Sequence, residues 1–304
     1  MNQSYTYHKP VMLEEAIREL NIKPNGIYID LTFGGGGHTK EILKRLKKGS
    51  VIAFDLDPDA KSEALKIQDN RFSFVQGNFR FFAQFLRANH IKKVDGILAD
   101  LGLSSHQLDS QQRGFAARLD GPLDMRMHQE EGLTAATLLN TYTFPQLVQI
   151  FKTYGNINHA KRLATHIITR RDKNIFQSVV DLRKAISPCI PKRREYKFFA
   201  KTFQALRIAV NDEQHALHEA LEQIPYFLAP KGRFVALAYH SGEDRPIKNF
   251  IKTGNVKGNL LKDFYGNIIR PLMPIHRKAL VPTQKEIMQN NRARSAQMRV
   301  ATKS

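Results

Sequence analysis

Short apolar runs alternate with helical patterns over the first hundred residues. The periodicity of apolar positions predicts helices at residues 11–20, 38–47, 60–67 and 81–89. Between them, continuous apolar stretches predict strands at Ile27–Leu31, Val51–Phe54, Phe72–Gln76 and Val94–Ala99. Strands and helices that alternate at this spacing are typical of right-handed βαβ units around a parallel sheet. The pattern therefore predicts an α/β fold.

The pattern changes after about residue 106. Residues 107–131 are rich in Arg, Asp, Gln and Gly and predict a long ordered loop. The next stretch predicts helices at Thr134–Leu139, Phe144–Tyr154, His159–Arg171, Val179–Ile186 and Phe199–Gln223. A strand pattern returns only at Arg233–Tyr239. We interpret residues 1–106 and 215–304 as one discontinuous α/β domain with a basic tail, and residues 107–214 as a mostly helical inserted domain.

Composition narrows the class of protein. The 304 residues carry 47 Lys and Arg against 28 Asp and Glu, a net charge of +19, and 42% of them are hydrophobic. Such a hydrophobic content excludes a wholly disordered chain, and the basic excess favours a polyanionic partner over a merely basic surface. The single cysteine, Cys189, excludes an internal disulfide and fits a reducing cytoplasm. We expect no metal site and no membrane-spanning segment.

A glycine run follows the first predicted strand. The segment DLTFGGGGH, Asp30–His38, leads from that strand into a helix, where glycines permit a sharp turn and a close approach of the backbone to a ligand. Asp55 ends the second strand about twenty residues later, where a carboxylate is placed to accept both hydroxyls of a ribose. Against the alternative of a flexible loop, this order predicts a nucleoside cofactor.

Two nucleoside cofactors fit the loop. A dinucleotide needs Gly or Ala three residues after the second glycine of its motif, but here Gly34 and Gly36 are followed by Thr39. S-adenosylmethionine needs a backbone cradle for its amino-acid tail, with Asp30 facing the ammonium directly or through the backbone and Phe79 beside the adenine. The loop therefore favours S-adenosylmethionine and leaves a dinucleotide as the alternative.

Several further blocks occur in a characteristic order along the chain. They are HKPVMLEEAI at 8–17, DLGLSSHQLD at 100–109, GPLDMRM at 121–127, TFQALRIAVN at 202–211, YHSGEDR at 239–245 and NRARSAQMR at 291–299. With the glycine loop, they make the chain closely resemble the bacterial 16S rRNA (cytosine-N4)-methyltransferase family, called RsmH or MraW. The resemblance covers nearly the whole chain.

The resemblance implies a fold, a reaction and a set of contacts. It implies a Rossmann-like S-adenosylmethionine-dependent methyltransferase core with an inserted helical domain for substrate recognition. The methyl acceptor it implies is N4 of one cytidine of 16S rRNA, near the decoding site of the small ribosomal subunit. The cofactor contacts it implies are Gly36, Gly37, His38, Asp55, Phe79, Asp100 and Gln107.

Four departures from the family pattern fall outside the cofactor loops. Gly242 replaces a usual Leu, Asn156 replaces a usual Glu, Ala116-Ala117 replaces Ser-Phe, and Lys197–Lys201 replaces an HPATR block. These departures keep open a different acceptor, namely another RNA, DNA or a protein nitrogen. A non-catalytic RNA-binding factor is the third hypothesis, against which the acids at 30, 55 and 100 argue.

Asp100 is the candidate catalytic residue. The N4 amine of cytosine is a poor nucleophile, so an enzyme must place it and supply acceptors for its protons. Asp100 ends the fourth predicted strand beside the cofactor loop and is suited to that task, although capping of the following turn is the simpler alternative. Ser104 is a candidate for orienting the base. For His240, a catalytic contact and a structural hydrogen bond are equally open.

Basic residues predict an RNA footprint. Lys197 and Lys201, with residues 192–194, are interleaved with aromatic residues, and phosphate contacts with base stacking are typical of RNA binding. Arg113, Arg126 and Arg294 are further candidates for contacts with the RNA backbone. We expect binding to weaken steeply with salt, and the target base to leave its stack. The oligomeric state stays open, a homodimer included.

Overall fold

The computed structural model describes residues 10–190 and 195–303, which fall into two compact units. One unit contains the described residues up to Gly102 together with those from Gln214 onward, and the other spans Leu103–Glu213. The predicted basic residues Lys192, Arg193 and Arg194 lie outside the described residues.

The first unit is built on a mixed sheet. Within the described residues its strands are β1 Ile27–Asp30, β2 Ser50–Asp55, β3 Phe72–Gln76, β4 Val94–Asp100, β5 Leu228–Ala238, β6 Leu272–Pro274 and β7 Gln297–Lys303. Their order is β3-β2-β1-β4-β5-β7-β6. The first five run parallel, and β7 is antiparallel to both β5 and β6. The predicted α/β class with a parallel, Rossmann-like core is confirmed.

Helices surround this sheet and fill the second unit. They are α1 Leu13–Leu20, α2 Gly37–Arg45, α3 Pro58–Ala64, α4 Phe82–Ala88, α5 Ser105–Asp109, α6 Ala135–Thr141, α7 Phe144–Thr153, α8 Ala160–Arg171, α9 Val179–Ile186, α10 Glu195–Asn211, α11 Glu213–Phe227, α12 Ser241–Thr253 and α13 Gln284–Gln289. Across the described part of the chain, no helix is both long and apolar enough to cross a membrane.

Both faces of the sheet are buried, which explains why the strands read as continuous apolar runs. Along β4, Ile97 joins the core cluster that includes residues of α4 and α11, while its neighbour Leu98 joins the cluster that includes residues of α1 and α2. Along β5, Phe234 likewise joins the first of these clusters and Val235 the second. Successive side chains of a strand point to opposite faces, so two packed layers fix the strand ends on which the candidate site stands.

The second unit has its own core. Leu138, Leu147, Leu163 and Leu182 are completely buried or nearly so, and they come from four different helices, α6 to α9. The loop predicted at residues 107–131 contributes to this core as well, through residues such as Met125, although it begins with the short helix α5.

Two predictions about secondary structure are wrong. The single helix predicted at Phe199–Gln223 is two helices, because Asp212 between α10 and α11 has a left-handed φ of 51°. The prediction of a last strand at Arg233–Tyr239 missed β6 and β7. In β7, the buried Met298 and Val300 flank Arg299. The surrounding basic residues hide the apolar pattern in the sequence, and the strand pairs with partners that are distant along the chain.

Candidate active site

Asp30 holds the glycine loop in place through its buried carboxylate. It ends β1 and its side chain is completely buried. Its Oδ1 accepts a hydrogen bond from the backbone N–H of Thr32 (3.1 Å), and its Oδ2 accepts one from the Thr39 hydroxyl (2.7 Å). Burial raises the pKa of Asp30 to about 6. One carboxylate therefore ties the start of the loop to the first turn of α2.

Asp55, at the end of the neighbouring strand β2, is hydrogen-bonded to the glycine loop. Its Oδ2 accepts from the N–H of Gly34 (2.7 Å), and its Oδ1 accepts from the N–H of Asp57 (2.9 Å). Burial raises its pKa to about 6, opposed by these two hydrogen bonds. The structure thus places the predicted ribose acceptor against the glycine run, at the carboxyl end of β2.

Gly36 and Gly37 leave no room for side chains. Gly36 has a left-handed φ of 74°, and a Cβ there would lie 2.6 Å from the Phe33 ring. A Cβ on Gly37 would lie 2.2 Å from Cγ of Pro10. These distances are far below van der Waals contact, so only glycine fits at either position, with Phe33 and Pro10 packed directly against the start of α2.

His38 carries an unsatisfied buried nitrogen beside this backbone. Its side chain is almost completely buried, and Nε2 has no hydrogen-bond partner within residues 10–190 and 195–303. Desolvation lowers its pKa to about 4, so the ring is neutral at pH 7. Buried polar atoms are nearly always hydrogen-bonded in native proteins, so this nitrogen fits a site that receives a polar ligand.

Asp100 ends β4 next to the loop and is held by three contacts. Its N–H donates to the Thr32 hydroxyl (2.6 Å), and its Oδ1 accepts from the Tyr239 hydroxyl (2.7 Å). Its Oδ2 lies 3.8 Å from Nδ1 of His38. Burial raises its pKa to about 7, with the negative charges of Asp30 and Glu243 adding to the rise. The group is therefore poised between its charged and neutral forms near neutral pH.

Tyr239 and Glu243, for which no role was predicted from the sequence, complete this network. The N–H of Tyr239 donates to Oε2 of Glu243 (2.8 Å), and Nε2 of His240 lies 2.9 Å from Oε1 of the same carboxylate. His240 is also the N-cap residue of α12. The structure therefore shows His240 in contact with Glu243, while its catalytic contact stays a prediction. The position of Tyr239 directly after β5, the parallel neighbour of β4, was the available signal.

Phe79 stands at the end of β3. It opens a 3₁₀ turn that Asn78 caps by accepting from the N–H of Arg80 (3.0 Å), and its ring packs half-buried on the core of the sheet. The residues predicted to contact the cofactor thus stand at the carboxyl ends of four adjacent parallel strands, β3, β2, β1 and β4, with the exception of Gln107. Ligands of parallel α/β sheets bind at this edge.

Gln107 belongs to the second unit, together with Ser104. The N–H of Ser104 donates to Oε1 of Gln107 (2.9 Å), and the N–H of Gln107 donates to Oγ of Ser104 (3.2 Å). This reciprocal capping box starts α5 and occupies both side chains.

The predicted RNA contacts divide into occupied and exposed groups. Arg113 is almost completely buried and donates from Nη2 to the carbonyls of Arg126 and Met127, so its task is to hold this loop. Arg126 pairs with Asp124 through two hydrogen bonds. Lys201 donates to the carbonyl of Asn156 (2.9 Å). Lys197 and Arg294 are exposed. Among the predicted basic contacts that fall within residues 10–190 and 195–303, these two are the exposed ones.

Known proteins resemble this chain over almost its whole length. A model of the MraW methylase family matches residues 5–304. Ribosomal RNA small subunit methyltransferase H of Amoebophilus asiaticus is 50% identical over 99% of this chain and 97% of its own length. The protein of the same name from Bacteroides fragilis is 46% identical over 98% of both chains. Among solved structures, an rRNA methylase from Streptococcus thermophilus aligns over 96% of this chain and 94% of its own, with a TM-score of 0.43 and 12% identity.

Proposed function

Because this chain belongs to the MraW methylase family, we propose that it transfers a methyl group from S-adenosylmethionine to N4 of one cytidine in 16S rRNA, near the decoding site. The observation that carries the proposal is that Asp30, Asp55 and Asp100 lie together around the glycine loop at one edge of the sheet. The RNA substrate places this activity in the bacterial cytoplasm.

The residues of the first unit fit S-adenosylmethionine. The backbone of Gly36 and Gly37 would receive the amino-acid tail, and Nε2 of His38 offers it a neutral polar contact. Asp55 would accept the ribose hydroxyls, and Phe79 would lie beside the adenine. Gln107, which the family pattern implies as a further contact, would have to give up part of its capping role. When bound, S-adenosylmethionine supplies an activated methyl group on a sulfonium sulfur.

Asp100 is the proposed catalytic residue. In its ionised form the carboxylate accepts a hydrogen bond from the N4 amino group, which localises the nitrogen lone pair, and it takes the proton that N4 loses. A pKa near 7 suits a group that must accept this proton at neutral pH. Tyr239 donates to Oδ1, so Oδ2, which lies 3.8 Å from Nδ1 of His38, would be the oxygen that accepts from N4.

The second unit is proposed to recognise the RNA. We assign residues 107–214 to this inserted domain, with the exposed Lys197 as its phosphate contact, and Arg294 as a contact on the first unit. Arg113 is left out because its guanidinium is buried and occupied.

Methyl transfer from radiolabelled S-adenosylmethionine to small subunits that lack the modification tests the proposal. We expect label in N4-methylcytidine, and a loss of about 100-fold or more in turnover for Asp100→Asn. Asp172→Asn, which alters an exposed carboxyl group, is the matched control. Label in another nucleoside or in protein would move the proposal to a different acceptor. Unchanged turnover and cofactor affinity for Asp100→Asn would remove the catalytic role.

A further inference from the structure

A pocket rich in cationic groups lies on the first unit, away from the glycine loop. Lys248 and Lys252 of α12 line it together with Lys278. In the described part of the chain, none of these three lysines forms an ion pair with an acidic side chain. The other basic side chains of the lining are already engaged, because Arg299 pairs with Asp244 and His276 with Glu19. Three uncompensated ammonium groups create a strong positive potential at this pocket.

A hairpin next to this pocket presents two aromatic rings to solvent. The N–H of Ile269 donates to the carbonyl of Leu261, and the N–H of Asp263 donates to the carbonyl of Asn267, both at 2.9 Å. At the tip, Phe264 is 98% exposed and Tyr265 is 86% exposed. Two adjacent aromatic rings at one tip form an exposed apolar patch, and such patches mark interaction sites.

The tip is rigidly built. The carboxylate of Asp263 accepts hydrogen bonds from the N–H groups of Tyr265 (2.9 Å) and Asn267 (2.8 Å). These bonds fix the turn. The side-chain amide of Asn267, which donates to Oδ2 of Asp263 (3.0 Å), and then these backbone N–H groups lower the pKa of Asp263, so its charge is used within the turn. A pre-formed turn presents the two rings without a large loss of conformational entropy on binding.

The base of the hairpin contacts α12, the helix that lines the pocket. Nη1 of Arg270, which follows the hairpin, donates to the carbonyl of Lys252 at the end of α12 (3.2 Å). Between residues 252 and 278 there are six Lys and Arg and a single acid, Asp263. A partner with both anionic groups and exposed planar groups can bind the cationic side chains with the former and stack on the aromatic rings with the latter. Single-stranded RNA has both properties, since phosphates meet lysines and bases stack on aromatic rings.

We propose that Lys248, Lys252 and Lys278, together with the rings of Phe264 and Tyr265, bind a single-stranded segment of small-subunit RNA. We call this set the hairpin surface. The lysines hold phosphodiester groups and the two rings stack on unpaired bases. This inference rests on the proposed function for the identity of the RNA. Helix α12 connects the surface to the site, because Glu243 and Lys252 lie nine residues apart on it, about 14 Å along the axis.

RNA binding by the full chain tests the hairpin surface directly. The affinity for protein-free 16S rRNA is measured by filter binding over a series of salt concentrations. Two variants are compared with wild type: Lys248→Ala/Lys252→Ala/Lys278→Ala and Phe264→Ala/Tyr265→Ala. Matched controls change exposed groups elsewhere: Lys48→Ala/Lys61→Ala/Lys92→Ala and Leu65→Ala/Met288→Ala.

The two variants are expected to fail in different ways. The lysine variant loses affinity about 10-fold or more, and the slope of log affinity against log salt becomes shallower by about 2. The aromatic variant loses affinity about 5-fold or more with the slope unchanged, since stacking releases no counterions. Affinity for S-adenosylmethionine stays at the wild-type value in both variants, which shows that the first unit is folded. Losses no greater than those of the controls would overturn the proposal.

Other occupants give other results. A loss seen with intact subunits but not with protein-free RNA would mean that a ribosomal protein binds here, and would overturn the RNA assignment. A dimer in sedimentation that Phe264→Ala/Tyr265→Ala dissociates, with RNA affinity unchanged, would assign the surface to a second copy of the chain. If the wild-type protein binds inorganic phosphate, and the lysine variant loses that binding but keeps its affinity for RNA, the pocket is a small-anion site. RNA binding as expected, but without methyl transfer, would refute the proposed function alone.

Discussion

The hydroxyl of Tyr239 donates a 2.7 Å hydrogen bond to Oδ1 of Asp100 across the ends of two neighbouring parallel strands. The two residues are 139 positions apart in the sequence, yet β4 and β5 bring them to the same edge. This bond leaves one carboxylate oxygen of Asp100 engaged and the other directed away from Tyr239. It also stabilises the ionised form of a buried acid, whose pKa burial otherwise raises.

Replacement of Tyr239 by phenylalanine tests this coupling. Loss of the donor destabilises the Asp100 carboxylate, so its pKa rises further above 7, with Asp30 and Glu243 still repelling the charge and the neutral His38 giving little compensation. We expect turnover at pH 7 to fall several-fold, and the acidic limb of the pH–rate profile to move up by about one pH unit.

The profile distinguishes this role from simple packing. Tyr226→Phe removes a hydroxyl from an exposed tyrosine and serves as the control. If Tyr239→Phe lowered the rate equally at every pH, the hydroxyl would not be controlling the charge of Asp100.

Asp100→Asn is expected to stabilise the cofactor-free protein at high pH. The pKa of Asp100 is about 7 in the folded state and about 3.9 in an unfolded chain, so the folded state retains the proton longer. Stability from this group is present below pH 4 and is lost as pH rises to about 7. Asparagine carries no charge and escapes this loss, so its advantage in free energy of unfolding should grow by about 2 kcal/mol between pH 5 and pH 8.

Thermal unfolding at several pH values measures this difference. A gain of about 2 kcal/mol corresponds to a rise in Tm of a few degrees. A difference in Tm that is the same at pH 5 and pH 8 would contradict the raised pKa.

Gly36→Ala and Gly34→Ala separate backbone strain from collision. Both positions have left-handed φ values, which cost an L-residue roughly 1–2 kcal/mol. Only at Gly36 does a Cβ also strike the Phe33 ring, which is itself packed between Phe72 and Phe74. We expect Gly36→Ala to weaken S-adenosylmethionine binding about 10-fold or more in calorimetry, and Gly34→Ala to weaken it less. Equal losses would mean that strain alone matters.

His38→Ala is expected to weaken cofactor binding independently of pH. Because the pKa of His38 is about 4, its ring stays neutral from pH 6 to pH 8 and offers the same nitrogen throughout. The affinity for S-adenosylmethionine should fall by about one order of magnitude, and by the same factor at pH 6 and pH 8. His166→Ala, which changes a partly exposed histidine of α8, is the control. A loss that appears only at pH 6 would mean that the charged imidazolium binds the cofactor.

The cofactor loop was predictable because its signals are local. A strand, a glycine run and an acid at the end of the next strand all lie within residues 27–55, and parallel strands must end at one edge. The contact between Asp100 and Tyr239 was not predictable in this way, since it depends on β5 pairing with β4 after a long insertion. The burial of Arg113 also depends on distant packing, whereas its sequence neighbourhood is typical of an exposed basic loop.

The place of β7 in the sheet also sets an order of assembly during protein synthesis. Val300 and Ala301 are buried, and β7 separates β5 from β6, so neither pairing can form until residues 297–303 have left the ribosomal tunnel. The second unit, in contrast, is one continuous stretch with its own core and can fold while the ribosome is still translating the rest. A nascent chain can therefore fold its helical unit before β5 and β6 find their partner in β7.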